Sequence, residues 1–127
     1  MSRPNKISTL DCLCYMYFCA MAHDGEIADS ETAVMIKKVL EWVPDDQAAA
    51  NSSIMTAADW WLGSHKQGGI DAVYSEFVFC VNVVKGKVGD NSRRAILKDL
   101  ASIFEADGKV TKGEQSLYSL LEKEMLS

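Results

Sequence analysis

The sequence predicts an all-α fold: a single domain, residues 1–127, of about six to seven helices arranged as two pseudo-symmetric helix-turn-helix halves. Three observations predict it. Apolar residues recur every three to four positions through most of the chain, which is the helical period. No segment has the pattern of a strand. The string Asp-Gly-x-Ile/Val-x-x-x-Glu occurs twice, each time after an apolar helical stretch, which indicates an internal repeat.

Periodicity and a helix-ending residue define the first two helices. The second runs from about residue 29 to residue 43 and stops at Pro44, which cannot continue a helix. The first spans residues 7–23, and its apolar positions keep a helical spacing at Ile7, Leu10, Cys14, Tyr17 and Met21.

Two consecutive glycines separate the next two predicted helices. Asp45 and Asp46 open the third helix, because acidic side chains are favoured at a helix N-terminus, and it reaches the Gly68-Gly69 break. The fourth helix, residues 70–85, is apolar on most sides. We therefore expect it to be the buried, central helix of the bundle.

Capping residues mark the last two helices. Asp90 to Ser92 offer N-caps for a fifth helix that continues to the second Asp-Gly. Thr111-x-x-Glu114 is a capping box, in which the two side chains satisfy each other's backbone N–H groups, and it starts the last helix.

Composition limits the classes of partner. The net charge is −5, which argues against a nucleic-acid backbone or an anionic membrane surface as the main partner and favours a cation or a basic protein. No segment approaches the roughly 20 apolar residues that a membrane span requires, so we expect a protein that is not transmembrane.

The four cysteines are expected to be reduced core residues of a cytoplasmic protein. Cys12, Cys14 and Cys19 lie in one apolar helical run, where the first two point to nearly opposite sides, so neither a bridge nor a thiolate metal site is natural. The alternative is a secretory signal, since Arg3 precedes the apolar stretch and Ala20-Met21-Ala22 is similar to a signal-peptidase site.

The duplicated turn is the main functional signal. Its copies are Asp24, Gly25, Ile27, Glu31 and Asp107, Gly108, Val110, Glu114, and 107 minus 24 and 114 minus 31 both give an offset of 83. Apolar residues before the turns match at the same offset, as with Leu13 and Ile96. A duplicated helix-turn-helix unit explains this pattern.

Each copy reproduces the back half of an EF-hand loop, with Asp at loop position five, Gly at six, an aliphatic residue at eight and Glu at twelve. The front half is missing, because loop positions one and three hold Ala20 and Ala22 in the first copy and Ile103 and Glu105 in the second. Calcium needs six to eight oxygens, so one turn alone is not expected to bind it tightly.

An alternative is that both turns are purely structural. Asp-Gly ends a helix, and a Glu near the next helix N-terminus is favoured by the helix dipole. Glu114 has a capping partner in Thr111, whereas Glu31 has Ala28 at the equivalent position. Capping therefore does not explain the Glu31 of the first copy, which suggests that it has another role.

These motifs resemble those of the TerB-like family of small all-helical tellurite-resistance domains, in which Ala-Asp-Gly-x-Ile-x-x-x-Glu ends one helix and begins the next in two related halves. The resemblance covers essentially the whole chain. It implies a non-enzymatic, cytoplasmic tellurite-resistance or stress-response protein whose acidic positions bind a metal or a partner. By motif alignment these positions are Asp24, Glu31, Asp107 and Glu114. His23 departs from the family's usual Ala, and Glu105 adds a charge before the second Asp-Gly.

Other features have simpler interpretations. Adjacent helical tryptophans diverge, so one of Trp60 and Trp61 should enter the core and the other its rim. A basic cluster is interpreted as a solvated face or a docking site for an acidic partner; it contains Lys85, Lys87, Arg93, Arg94 and Lys98. The sequence has no motif that indicates an enzyme: it lacks a Gly-rich phosphate loop, a cysteine with a plausible base and a Cys-x-x-Cys metal spacing.

Two functions are therefore expected from the sequence. In the first, the two turns form a paired acidic site for a divalent, calcium-like cation or a basic partner. In the alternative, the chain is a protein–protein interaction module whose Asp-Gly turns are structural.

Overall fold

A computed structural model describes residues 6–22, 29–105 and 112–126, all of whose regular structure is helical. The five helices are α1 (Thr9–Ala22), α2 (Asp29–Trp42), α3 (Gln47–Lys87), α4 (Asp90–Glu105) and α5 (Lys112–Leu126). The predicted all-α class is confirmed, and five helices are found in the described ranges where six or seven were expected.

The difference in number arises at the two glycines. The predicted break at Gly68-Gly69 is a kink inside the 41-residue α3, where Gly69 has φ 65° and ψ −149° while the flanking residues stay helical. This conformation is essentially restricted to glycine. The interruption predicted at the glycines is therefore present: it divides α3 into two helical parts that fold back on each other, since Trp60 before it donates to Glu76 after it at 3.1 Å. The N-cap of α3 is Asp46, as expected, and its Oδ1 accepts from Ala49 N at 2.9 Å.

A reciprocal cap starts α1. Asp11 N donates to Ser8 Oγ at 3.0 Å, and Ser8 N donates to Asp11 Oδ2 at 3.1 Å. Asp11 Oδ1 also accepts from Ser53 Oγ at 2.6 Å. This last bond ties the first turn of α1 to α3.

α1 is the central helix, which corrects the prediction for residues 70–85. Nine of its side chains are buried, and they cover every side of the helix: Cys12, Leu13, Cys14, Tyr15, Met16, Tyr17, Cys19, Ala20 and Met21. The second part of α3 buries Phe77 and Val81 but leaves Tyr74 and Val78 exposed. Both α1 and the second part of α3 are apolar on most sides, which predicted burial for each of them. This pattern did not reveal which of the two the other helices surround.

Arg93 joins two helix ends. Its Nη1 donates to Met125 O at 3.3 Å and its Nη2 donates to Lys85 O, so one guanidinium binds carbonyls in the last turns of α5 and α3. A cation at helix C-termini is favoured by the helix dipoles. Arg94 is paired with Asp90 at 3.4 Å on the surface. The predicted basic cluster is therefore partly used within the fold.

The four cysteines are buried and not joined by disulfides, as expected from their positions in the sequence. Within the described ranges, none of the helices combines the length and apolar character needed to cross a membrane.

Candidate functional site

The four predicted site residues lie largely outside what the structure describes. Asp24 and Asp107 fall outside the described ranges, as does His23. Glu31 and Glu114 are in the helical backbone, each as the third residue of its helix, α2 and α5, but their side chains are not among those described.

The helices that lead into the two turns run in the same direction. A single pocket is lined by Thr9, Leu10 and Leu13 in the first part of α1, by Val88, two residues before α4, and by Ile96 in the first part of α4.

A hydrogen bond extends this pairing by another turn, since Tyr17 of α1 bonds to Asp99 of α4. Residue numbers therefore increase together along both helices. The last residues of α1 and α4, Ala22 and Glu105, consequently lie at the same end of the bundle.

A buried carboxylate joins three helices at this level. Asp99 is 8% exposed, and its Oδ2 accepts from Tyr17 Oη at 2.5 Å and from Trp42 Nε1 at 2.9 Å. Trp42 Nε1 also lies 3.2 Å from Tyr17 Oη, and Lys38 Nζ is 3.9 Å from Asp99 Oδ1. We call Tyr17, Lys38, Trp42 and Asp99 the Asp99 cluster; it connects α1, α2 and α4.

The electrostatics of the Asp99 cluster favour a neutral Tyr17 phenol. Burial, and secondarily the Asp99 charge, raises the pKa of Tyr17 above its ordinary value. Tyr17 therefore remains a hydrogen-bond donor. Lys38 also pairs with Glu41 at 3.7 Å, so it shares its charge between a buried and a surface partner.

This arrangement is suited to holding helices together rather than to binding a ligand. Tyr17 and Trp42 already donate to Oδ2 of Asp99, and Lys38 forms an ion pair with its Oδ1, which leaves the carboxylate poorly placed to coordinate a cation. Within the described ranges, no three His, Cys, Asp or Glu side chains come together in a way that could hold a metal ion.

The buried thiols lack the features of reactive cysteines. Burial, and then the nearby Asp11 charge, raises the pKa of Cys14 from 9.0 to about 12. Burial likewise raises the pKa of Cys19 and, together with contact with Cys12, that of Cys80. Nucleophilic thiols have a lowered pKa and partial exposure, so these side chains act as small apolar core residues.

The adjacent tryptophans divide as predicted between core and rim. Trp60 is buried, with its ring centroid 4.2 Å from that of Tyr15, and its Nε1 donates to Glu76 Oε1 at 3.1 Å. Trp61 is partly buried and stacks on His65 with centroids 5.2 Å apart. Both contacts fit packing roles.

An apolar groove of 210 Å³ lies between the second part of α3 and α5. Exposed side chains along it include Tyr74 at 50%, Val78 at 41% and Leu120 at 38%, and Phe77 and Leu121 form its floor. Glu124 and Asn82 are its polar lining residues. A contiguous apolar patch of this kind is typical of interaction surfaces.

Sequence reasoning did not identify the Asp99 cluster. A signal was present, because Asp99 occupies an inward position of α4, with Ile96, Leu100 and Ile103 on the same buried stripe. A carboxylate at such a position needs donors. Tyr17 lies on the apolar face predicted for the first helix, but the sequence alone did not indicate that its hydroxyl meets the indole N–H of Trp42 there.

Comparison with known proteins identifies no relative. No protein-family model, curated protein or solved structure matches the chain.

Proposed function

We propose that this chain is a non-enzymatic, TerB-like helical protein in which the two Asp-Gly turns form one acidic site for a divalent cation. A basic protein partner is the other class of ligand that suits such a site. The resemblance of the duplicated motif to that of tellurite-resistance domains extends the proposal to a stress-response role in the cytoplasm.

The common direction of α1 and α4 is the observation that carries the proposal. At 1.5 Å per residue, Ala22 and Glu105 lie roughly 8 and 9 Å beyond Tyr17 and Asp99. The two helices that precede the turns therefore end on the same side, at similar distances from one hydrogen bond. This supports a shared site for Asp24, Glu31, Asp107 and Glu114.

The chemistry of calcium explains why both turns are needed. Each turn supplies an Asp and a Glu, but loop position one holds an apolar residue in both copies and loop position three holds Ala22 in the first and Glu105 in the second. Four carboxylates, some of them bidentate, approach the six to eight oxygens that calcium requires. Magnesium needs a stricter octahedron, so we expect it to bind more weakly.

Thermal unfolding and calorimetry with calcium test this proposal. Saturating calcium, at about 100 times Kd, should stabilise the folded protein by roughly 2.7 kcal/mol, which raises Tm by several degrees. The double variant Asp24→Asn, Asp107→Asn should lose this gain. Sodium chloride at equal ionic strength controls for screening of surface repulsion. Absence of saturable heat in the wild type would contradict a cation site.

An interaction module with purely structural turns is the second candidate, and the groove between α3 and α5 favours it. By analogy with other helix-binding grooves, its exposed Tyr74 and Val78 suit the apolar face of an amphipathic helix. The calcium titration separates the two candidates, because the second predicts neither binding heat nor an effect of the double variant.

A further inference from the structure

The outward face of the second part of α3 has a symmetric spacing of residues. Five positions, separated by three, four, four and three residues, lie on one side of this helix and are exposed or partly exposed: Asp71, Tyr74, Val78, Asn82 and Lys85. Val78 is the centre of this pattern. An acidic and a basic residue occupy its two ends, and a hydrogen-bonding residue lies between each end and the centre.

This face borders the apolar groove between α3 and α5. Tyr74 and Val78, 50% and 41% exposed, form one side of the groove, and Leu120 of α5, 38% exposed, lies on the other. The surface therefore has an apolar ridge directly beside an apolar groove. Such a surface can pack against a copy of itself, each ridge in the other's groove, across a twofold axis.

We propose that the occupant of the groove is α3 of a second copy, packed antiparallel about Val78. In this arrangement Val78 faces its counterpart, Tyr74 of each copy faces Asn82 of the other, and Asp71 faces Lys85. Because the spacing is symmetric, each of the two polar pairs forms twice. A parallel arrangement would instead oppose like charges at both ends. The proposal is independent of the cation site and names an occupant for the groove of the second candidate function.

The size of the contact predicts weak association. From residue 71 to residue 85 the helix extends about 21 Å, and a contact two helices wide covers on the order of 400 Å² on each copy. A stable complex typically buries about 800 Å² on each partner. Glu124 also lines the groove, so the acid–base pairs fix orientation more than they add affinity. We therefore expect a dimer that dissociates in the micromolar range or above.

Sedimentation equilibrium of the full chain, in the presence of a chelator and between about 10 μM and 1 mM protein, tests the proposal. The weight-average mass should rise with concentration from the 14.0 kDa of one chain toward twice that value. Val78→Glu should keep the protein monomeric, because it opposes two carboxylates at the twofold axis. Leu62→Glu is the matched control, since Leu62 is 59% exposed on the first part of α3 and does not line the groove. It should associate like the wild type, and circular dichroism checks that both variants remain helical.

Charge reversal tests the antiparallel register without changing the apolar centre. Asp71→Lys opposes lysines at both ends of the contact and Lys85→Asp opposes aspartates, so each variant alone should associate at least about tenfold more weakly. An equimolar mixture should recover association, because one copy then supplies both lysines and the other both aspartates. Net charge does not explain this recovery, since each variant changes the net charge of −5 by two and both remain negative.

Three results would overturn the proposal: a wild type that stays monomeric throughout, a Val78→Glu variant that dimerises like the wild type, or a mixture of the charge variants that associates no better than its components. None of them bears on the cation site, because no divalent ion is present in these measurements.

Discussion

At the scale of single residues, polar side chains in this protein are concentrated where helices must be joined. Asp99 collects donors from α1 and α2, Asp11 links α1 to α3, and Arg93 binds the ends of α3 and α5. Each of these groups binds partners on other helices, although the buried Nε of Arg93 has no hydrogen-bond partner among the described residues. A buried polar group without such partners would cost about 1–3 kcal/mol, so each contact favours one arrangement of helices over others.

Arg93 provides a residue-scale prediction. Arg93→Ala should lower the free energy of unfolding by about 2 kcal/mol, because two charge-assisted bonds to helix C-terminal carbonyls are lost. Arg94→Ala is the matched control: the Arg94 side chain is 62% exposed, and its pair with Asp90 should contribute less than about 0.5 kcal/mol. Urea unfolding measures both. Equal losses for the two variants would show that Arg93 has no special role at these helix ends.

At the scale of elements, α3 is shaped by one glycine. Gly69 has positive φ, and with the kink there the two parts of α3 both contact the central α1 by packing Trp60 and Phe77 into the core. Gly68 cannot carry a side chain without movement, since an added Cβ would lie 2.8 Å from Ala72 Cβ. The kink is therefore specified by the local sequence.

The kink provides an element-scale prediction. Gly69→Ala should destabilise the protein by about 1–3 kcal/mol, because an L side chain is strained at φ 65° and ψ −149°. Gly86→Ala, in the last turn of the same helix and with nothing near an added Cβ, should instead be neutral or stabilising by about 0.5 kcal/mol. Chemical denaturation of the pair measures the difference. A neutral Gly69→Ala would mean that the kink relaxes at little cost.

Local signals predicted most of the elements, and tertiary preferences account for what they missed. Pro44 and Asp46 marked helix boundaries because their effects are confined to neighbouring backbone groups. The glycine pair likewise marked the interruption of α3, because Gly69 adopts a backbone conformation that other residues avoid. The bond between Tyr17 and Asp99 joins distant segments, and no periodicity within either segment encodes it.

At the scale of the whole molecule, the central position of α1 buries ionisable groups that are neutral at pH 7. Burial raises the pKa of the thiols Cys14, Cys19 and Cys80 and of the phenols Tyr15 and Tyr17. In the unfolded chain, thiols ionise near pH 8.5 and phenols near pH 10. The folded state thus holds protons that the unfolded state releases in mild alkali.

The last prediction follows from this difference in proton binding. Above about pH 8.5 the unfolded state binds fewer protons than the folded state, so the free energy of unfolding must fall as pH rises. Each buried thiol should contribute a slope of about −1.4 kcal/mol per pH unit once its unfolded form is ionised. For Cys14 this contribution should continue until pH approaches about 12, where the folded form also ionises. Urea unfolding between pH 8 and pH 10 measures how steeply the free energy of unfolding falls with pH. Cys14→Ala should make this slope less steep by the contribution of one thiol. A free energy of unfolding that stays constant over this range would show that the thiols ionise equally well in the folded protein, which is incompatible with their burial in the core around α1.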